Sequence, residues 1–137
     1  MGGVRVGEGD AHAAARRIAP VRAVQNFSNV AVRTDDPLVD LCAERGIAFV
    51  PFFPLGGFRP LRSTTLQHVA GGLGHTPLQV ALAWLLHRSP TMLLIPGTSS
   101  VEHLRQNVAA ARIELPAEAM ARPQPIGTAD ARTPWDR

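Results

Sequence analysis

The residues best suited to ligand chemistry lie in loops that follow short apolar runs. The most specific is Gly97-Thr98-Ser99-Ser100, which leads from the apolar run Met92–Ile95 directly into a helical segment. Hydroxyl donors, open backbone amides and the positive end of a helix together form a phosphate site, and His103 would add charge. A well-capped helix explains the same residues without a ligand, with Ser99 as the N-cap and Glu102 at capping-box spacing.

Two other strand ends carry residues that could hold an amide and an aromatic ring. Gln25 and Asn26 follow a short alternating strand, and a side-chain amide there can hydrogen-bond a ligand carboxamide. Phe52 follows the apolar run Ile47–Val50 between two prolines, so its ring offers a rigid stacking surface. A turn-forming asparagine beside a solvated glutamine, and a core phenylalanine, are the alternatives.

Several other site chemistries lack the residues that they require. None of the five histidines stands at a metal-ligand spacing with a Cys, Asp or Glu partner, so we expect no metal site. We interpret His12, His68 and His87 as exposed helix positions. The arginines are scattered and form no basic cluster, so we expect no nucleic-acid partner. The single cysteine, Cys42, cannot form an internal disulfide.

The elements that must position these loops alternate between strands and helices. Such alternation is typical of parallel βα units. Because a closed barrel needs about 200 residues or more, the 137 residues predict part of a barrel or a small open sheet. Three glycines, Gly71, Gly72 and Gly74, are expected to end the third helix. The predicted helices cover 11–19, 38–45, 64–70, 77–88 and 101–112, and the predicted strands cover 21–25, 47–50 and 92–95. Ser63 is expected to cap the third helix and Thr76 to begin the fourth. The apolar face predicted for the fourth helix comprises Leu78, Ala81, Leu82, Leu85 and Leu86.

The composition is that of a folded domain, with 45% hydrophobic and 18% charged residues. No apolar run reaches the roughly 20 residues of a membrane helix, and the N-terminus lacks the apolar region of a signal peptide. We therefore expect a cytoplasmic protein that does not bind a membrane. The predicted organisation is an irregular lead-in (1–10), a folded region (11–115) and a proline-rich, poorly ordered tail (116–137).

Taken in order, four segments between Ala11 and Leu115 closely resemble the C-terminal half of the aldo-keto reductases. That family folds as a (β/α)8 TIM barrel and reduces carbonyls with NADPH. The resemblance implies an α/β fold, the C-terminal half of that barrel, with parallel strands alternating with helices, and NADP(H) as cofactor. The matching segments are Val24–Asn29, Gly46–Gly57, Thr76–Leu86 and Ile95–Asn107.

The resemblance also assigns roles to ten residues of a cofactor site. It implies that Gln25 contacts the nicotinamide carboxamide and that Phe52 stacks on the nicotinamide ring. Leu55 and Gly56 would line the path of the pyrophosphate. The adenosine end would be held by Gly97, Thr98 and Ser99 at the 2′-phosphate, His103 at a position often basic in the family, and Gln106 and Asn107 at the adenine.

The chain departs from the family at the catalytic residues. The family's Asp, Tyr, Lys and His lie in the first half of the barrel, where the tyrosine donates a proton and the lysine lowers its pKa. This sequence has no tyrosine and no lysine. A Ser-Asn pair that touches the nicotinamide in the family is replaced by Arg5-Val6.

We therefore expect a truncated NADP(H)-dependent oxidoreductase with no catalytic residue of its own and no carbonyl reductase activity in isolation. One alternative is a non-enzymatic module that binds a nucleotide or a partner. Another is a half barrel that is completed by a complementary chain or by self-association, because exposed sheet edges invite pairing.

Overall fold

The computed structural model describes residues 9–56, 61 and 63–120. Two strands, β1 (Ala23–Phe27) and β2 (Ala48–Phe52), form a parallel pair. The fold is α/β, with helices connecting parallel strands, as the alternation of elements predicted. The helices are α1 (Gly9–Ile18), α2 (Asp36–Glu44), α3 (Thr64–Leu73), α4 (Pro77–Arg88), α5 (Val101–Ala109) and α6 (Ala117–Met120), with a 3-10 turn at Ala110–Arg112 after α5.

The segment predicted as a third strand, Met92–Ile95, joins the sheet through one parallel bridge between Met92 and Phe49. The amide of Phe49 donates to the carbonyl of Thr91 (3.0 Å), and the amide of Leu93 donates to the carbonyl of Phe49 (2.9 Å). The next bond of a parallel ladder would need an amide on Pro51, which proline lacks. The prediction of a regular strand here is therefore wrong, although its position beside β2 is as expected.

Side chains of the two strands alternate between a helix-facing side and an open face. Val24 and Phe49 point to the helices and are 6% and 0% exposed. Gln25 and Val50, paired in the register, lie on the other side, where Gln25 is exposed and Val50 half-buried. We call this side the open face; it comprises Ala23, Gln25, Phe27, Ala48, Val50 and Phe52.

Helix α4 is the central element of the core. Thr76 begins it with a capping box, accepting from the amide of Gln79 while the Gln79 side chain accepts from the amide of Thr76. Of the apolar face predicted for this helix, Ala81, Leu82 and Leu85 are buried, as is Trp84. The expectation for Leu78 is wrong, because it lies in the first turn and is 42% exposed. Val80, Ala81, Trp84 and Leu85 pack in one cluster with strand and helix residues that include Val24, Val39, Cys42, Phe49, Leu66 and Met92. Leu82 and Ala83 pack in a second cluster with Ala110 and Ile113.

An ion pair joins helices α2 and α4 at the edge of this core. The guanidinium of Arg88 donates to the carboxylate of Asp40 at 2.7 Å and lies 3.6 Å from a carboxylate oxygen of Asp36. The bond from Arg88 holds the pKa of Asp40 below its usual value. The pair fixes the C-terminal end of α4 against α2, so the segment that follows α4 enters the sheet at a defined place.

Helix α3 runs further than the sequence predicts. Ser63 caps it as expected, accepting from the amide of Leu66 at 3.2 Å. Gly71 and Gly72 do not end it, because glycine lowers helix stability without preventing helical geometry. The helix ends at Gly74, whose φ of +69° is the left-handed conformation that glycine adopts readily.

One further expectation is wrong: His12 is 3% exposed rather than exposed on its helix. Of the tail predicted as poorly ordered (116–137), the described part includes helix α6, whose Ala119 is 3% exposed. Residues 1–8, most of the predicted lead-in, and the rest of the tail lie outside the described residues.

Among the described helices, none is by itself long and apolar enough to cross a membrane, although α3 and α4 together, bent by 92°, pass the same criteria of length and composition.

Candidate functional site

The carboxyl ends of the strands meet at one edge of the sheet. Strand β1 ends at Phe27, directly opposite Phe52 at the end of β2. Gln25 therefore lies within β1, opposite Val50, and the interpretation that it follows the strand end is wrong. The chain stays extended for two more residues because the turn that stops it is closed further on, by Asn29. Gln25 nevertheless projects from the open face, two residues before this edge.

Three phenylalanines form a cluster where the strands end. The ring centroids of Phe27 and Phe52 lie 5.6 Å apart, and Phe53 stands edge-on to both, at 6.3 Å from Phe27 and 5.7 Å from Phe52. Contacts at these distances fix the rings in position. Phe52 remains half-buried, so part of its ring is accessible from the open face. Phe27 and Phe53 were not predicted as site residues, although the alternation from Ala23 to Phe27 was a usable signal for Phe27.

The loop after β2 has an unusual backbone. Phe53 has a φ of +53°, a left-handed conformation that costs a side-chain-bearing residue roughly 1–2 kcal/mol. Its carbonyl accepts from the amide of Gly56 at 2.9 Å, and Gly56 itself has a φ of +90°. Leu55 is half-buried against the hydrophobic core. The loop is thus a tight turn with defined contacts at both ends.

The loop before α5 presents hydroxyls and amides at the start of a helix. The N-cap is Ser100, whose Oγ accepts from the amide of His103 at 3.3 Å, so the assignment of the cap to Ser99 is wrong. The helix starts one residue later because Ser100 is the last residue in extended conformation. Thr98 Oγ1 accepts from the amide of Ser100 at 3.1 Å. The hydroxyl of Ser99 is exposed and is not used by the cap.

Space for an anion exists beside this loop. A Cβ placed on Gly97 would meet no atom within 4 Å. The amides of Val101 and Glu102 belong to the first helical turn, where no carbonyl of the helix can accept from them. Helix α5 has no buried residue, and His103 is exposed in its first turn. Hydroxyls, helix-end amides and open space are the properties that a bound phosphate needs.

Gln106 and Asn107 follow His103 at helical spacing and are both half-buried. The amide of the Gln106 side chain donates to the carboxylate of Glu102 at 3.2 Å. The carbonyl of Gln106 accepts from the side chain of Gln79 on α4 at 3.4 Å. These bonds orient the side of α5 that would meet a base, and they attach α5 to the central helix.

The ten predicted residues lie on or after three neighbouring segments of the sheet. Gln25 and Phe52 lie on neighbouring strands, the loop with Leu55 and Gly56 follows β2, and the remaining residues follow the segment bonded to β2. A ring and an amide at one end, a tight loop in the middle and an open anion loop at the other end fit a dinucleotide carrying an extra phosphate. Hydroxyls, side-chain amides and backbone amides at these positions can bind such a ligand through hydrogen bonds. Within the described ranges, no group of three His, Cys, Asp or Glu residues could hold a metal ion.

Comparison with known proteins extends these observations. The sequence model of the Aldo/keto reductase family matches residues 10–126. Over 109 residues the chain is 61% identical to pyridoxine 4-dehydrogenase of Escherichia coli strain K12, covering 80% of this chain and 38% of that protein. It is 43% identical over 109 residues to an uncharacterized oxidoreductase of Schizosaccharomyces pombe, covering 79% and 36%. The chain therefore spans well under half the length of these relatives.

Solved structures give the same match in three dimensions. A thermostable aldo-keto reductase in complex with the inhibitor epalrestat superposes with a TM-score of 0.70 at 32% identity, over 80% of this chain and 41% of that one. An aldo-keto reductase from Klebsiella pneumoniae in complex with NADPH gives a TM-score of 0.63 at 31% identity, over 71% and 36%. Both comparisons align the described fold with part of a larger chain.

Proposed function

The chain belongs to the aldo/keto reductase family, and from this premise we propose that it is the cofactor-binding portion of an NADP(H)-dependent oxidoreductase. The observation that carries the proposal is the path of ring, tight loop and anion loop along one edge of the sheet. The NADPH complex of the Klebsiella relative supports the same choice of cofactor.

Each part of the path would hold one part of the dinucleotide. Phe52 would stack on the nicotinamide ring, with its own ring held by Phe27 and Phe53. Gln25 would bond the carboxamide from the open face. Leu55 and Gly56 would border the pyrophosphate. The adenosine end would lie on α5, with its 2′-phosphate at Gly97, Thr98, Ser99 and His103 and its base at Gln106 and Asn107.

The bound cofactor would supply or accept a hydride, but the chain lacks the family's means of moving a proton to or from the substrate oxygen. A proton donor must lie within hydrogen-bond reach of that oxygen. The sequence holds no tyrosine and no lysine. We therefore assign this chain the binding and orientation of the cofactor, and assign no catalytic residue to it.

Binding is tested by titrating NADPH into the full chain by calorimetry. We expect saturable binding, and weaker binding by Phe52→Leu, which keeps an apolar side chain but removes the ring. His68→Leu, at an exposed position of α3 and not among the proposed cofactor-binding residues, is the control and should bind as the parent does. An absence of heat at millimolar NADPH would rule out the proposed function.

A chimaera tests whether the bound cofactor is correctly presented for chemistry. Residues 10–126 would replace the matching segment of the Escherichia coli pyridoxine 4-dehydrogenase. Because the two sequences are 61% identical over most of this segment, we expect a folded protein that oxidises pyridoxine with NADP+. We propose that the complete enzyme to which this segment corresponds acts on pyridoxine. A folded chimaera that binds NADP+ without turnover would contradict the substrate assignment while leaving cofactor binding intact.

A second proposal concerns what covers the open side of the sheet. Leu93 and Ile95 are 54% and 52% exposed beside the open face, and Ile18 of α1 is 88% exposed. Helix α5 adds exposed Val101, Leu104 and Val108 at helical spacing. These exposed apolar side chains favour a half barrel that is completed by another chain or by a second copy.

Sedimentation of the purified chain decides between these forms. A dimer at micromolar concentration, abolished by Leu93→Glu with Ile95→Glu, would support self-association. A monomer that remains soluble and binds NADPH without turnover would instead support the non-enzymatic nucleotide-binding module. A monomer that gains oxidoreductase activity on mixing with a chain carrying the first half of the barrel would support completion by a partner.

A further inference from the structure

Asn29 is a buried side chain that links the two strand-end loops. It is 2% exposed and lies in the turn after β1. Its Oδ1 accepts from the amides of Ala31 (2.9 Å) and Val32 (3.0 Å), while its backbone exchanges two 3.1 Å bonds with Val32. The acceptor side of the carboxamide is therefore used to close the turn in which the residue sits.

The donor side of the same carboxamide reaches across to the other loop. Nδ2 of Asn29 donates to the carbonyl of Phe53, 24 residues further along the chain, at 3.5 Å. Phe53 is the one non-glycine residue with a positive φ among the described positions. The carbonyl that Asn29 contacts is also the acceptor for the amide of Gly56, so one oxygen carries both bonds that define the turn.

Left-handed backbone at an aromatic residue persists only where neighbouring groups hold it. Here the conformation turns the chain sharply after Phe52, which leaves the Phe52 ring facing Phe27 and directs Leu55 back to the core. If Phe53 relaxed to negative φ, its carbonyl would move away from Gly56 and the ring platform would lose its edge-on neighbour. The orientation of the platform thus depends on the backbone of Phe53.

We propose that Asn29 is a positioning residue for the nicotinamide end of the cofactor, acting through the backbone of Phe53. The proposal rests on the proposed function and deepens it. Asn29 does not touch the cofactor; its two-sided carboxamide locks the β1 and β2 loops into one unit, so that Phe52 and Gly56 present a preformed surface. Preorganisation of this kind improves affinity because the ligand does not have to order the loop.

The isosteric variant Asn29→Asp separates the two sides of the carboxamide. It retains an oxygen that can accept from Ala31 and Val32, and it removes the Nδ2 donor to Phe53. Two probes divide the site: NADPH reaches both ends, whereas adenosine 2′,5′-bisphosphate reaches only the loop before α5. We expect NADPH binding to weaken by roughly threefold to tenfold, the range that the loss of one part-buried hydrogen bond gives, and binding of the bisphosphate to be unchanged.

The outcomes separate this inference from the proposed function. If the parent chain binds neither probe, the proposed function fails. Suppose instead that the parent binds NADPH. If Asn29→Asp then binds NADPH with the affinity of the parent, or if its affinities for NADPH and for the bisphosphate fall by the same factor, Asn29 has no positioning role and the inference is overturned.

Two variants of Phe53 keep Asn29 and test the proposal if Asn29→Asp does not fold. Phe53→Gly and Phe53→Ala both remove the ring, but only glycine adopts positive φ without cost. We expect Phe53→Ala to bind NADPH several-fold more weakly than Phe53→Gly, with equal affinity for the bisphosphate. Equal NADPH affinity of the two variants would show that the backbone of Phe53 does not set the platform.

Discussion

The guanidinium of Arg33 lies over the indole of Trp84, with its central carbon 5.1 Å from the ring centroid. The same guanidinium donates to the carboxylate of Asp36 through both Nε (3.0 Å) and a terminal nitrogen (2.6 Å). Arg33 stands between β1 and α2, whereas Trp84 lies on α4. One side chain therefore joins the connection after β1 to the central helix, on the side of the sheet opposite to the open face.

Replacing Arg33 by methionine should lower the free energy of unfolding by about 1 kcal/mol, because a cation–π contact and a partly exposed ion pair are lost together. Methionine keeps an apolar stem of similar length over the indole. Urea unfolding followed by tryptophan fluorescence measures the change. Arg17→Met on the exposed surface of α1 is the control, and an equal effect of the two substitutions would show that the contact with Trp84 is not stabilising.

The free energy of unfolding should decrease as the pH is lowered, because of His12. Neither of its ring nitrogens has a hydrogen-bond partner within the described ranges. Burial lowers its pKa from the ordinary 6.5, and the positive charges of Arg45 and Arg16 lower it further. Because the pKa is lower in the folded state, folding opposes protonation. The stability from neutral His12 is complete above pH 6.5 and is lost as the pH falls through 6.5 towards the lowered value.

His12→Leu tests this expectation. Urea midpoints measured between about pH 7.5 and pH 5 should decline in the parent chain and decline less in the variant. His68→Leu, at an exposed position of α3, should retain the pH dependence of the parent. Parallel profiles for the parent and His12→Leu would contradict a contribution from His12.

The two serines before α5 should separate stability from binding. Ser100→Ala removes the N-cap acceptor and should cost about 1 kcal/mol of stability. Ser99→Ala should leave the free energy of unfolding within about 0.5 kcal/mol of that of the parent, as exposed substitutions generally do. It should nevertheless weaken the binding of NADPH. Urea unfolding and calorimetry on both variants check the pair. A larger loss of stability in Ser99→Ala than in Ser100→Ala would reverse the assignment of the cap.

Cys42 should report on unfolding of the whole core. Its side chain is 0% exposed, and burial raises its pKa, so the reactive thiolate is both hidden and scarce. A disulfide reagent should react with it only when urea unfolds the chain, with the same midpoint as tryptophan fluorescence. Cys42→Ser should cost about 1–3 kcal/mol, because it buries a hydroxyl in an apolar cluster. Rapid labelling in the native state would show that α2 opens locally.

The sequence predicted the features that depend on local chemistry. Thr76 and Ser63 cap helices at the predicted positions because a hydroxyl before a helix satisfies an amide whatever the tertiary context. The burial of Ala81, Leu82 and Leu85 on α4 follows from their spacing in the same way, whereas Leu78 is exposed. The order of strands and helices likewise set the fold class, and the resemblance set the family.

Features that depend on distant residues could not be predicted from local patterns. The third strand is reduced to one bridge by Pro51, a residue of the neighbouring strand. The burial of His12 depends on the packing of α1, and its polar side chain gave no sign of it. The turn at Phe53 is held by Asn29, 24 residues away, and an aromatic residue is an improbable choice for left-handed backbone. The positions of Gln25 and Ser99 were each misjudged by a residue or two, the usual uncertainty of element boundaries.

The two faces of the sheet should also tolerate substitution differently. A substitution at Phe49 must be accommodated by helices of the same chain, so selection for folding alone preserves its character. A substitution at Gln25 or Val50 changes few contacts within the described chain and acts mainly on contacts with a ligand or with a covering chain. In a lineage that had ceased to use the cofactor, the open face should therefore diverge first. Retention of Gln25 and Phe52 in near relatives of the same length would record a cofactor still in use.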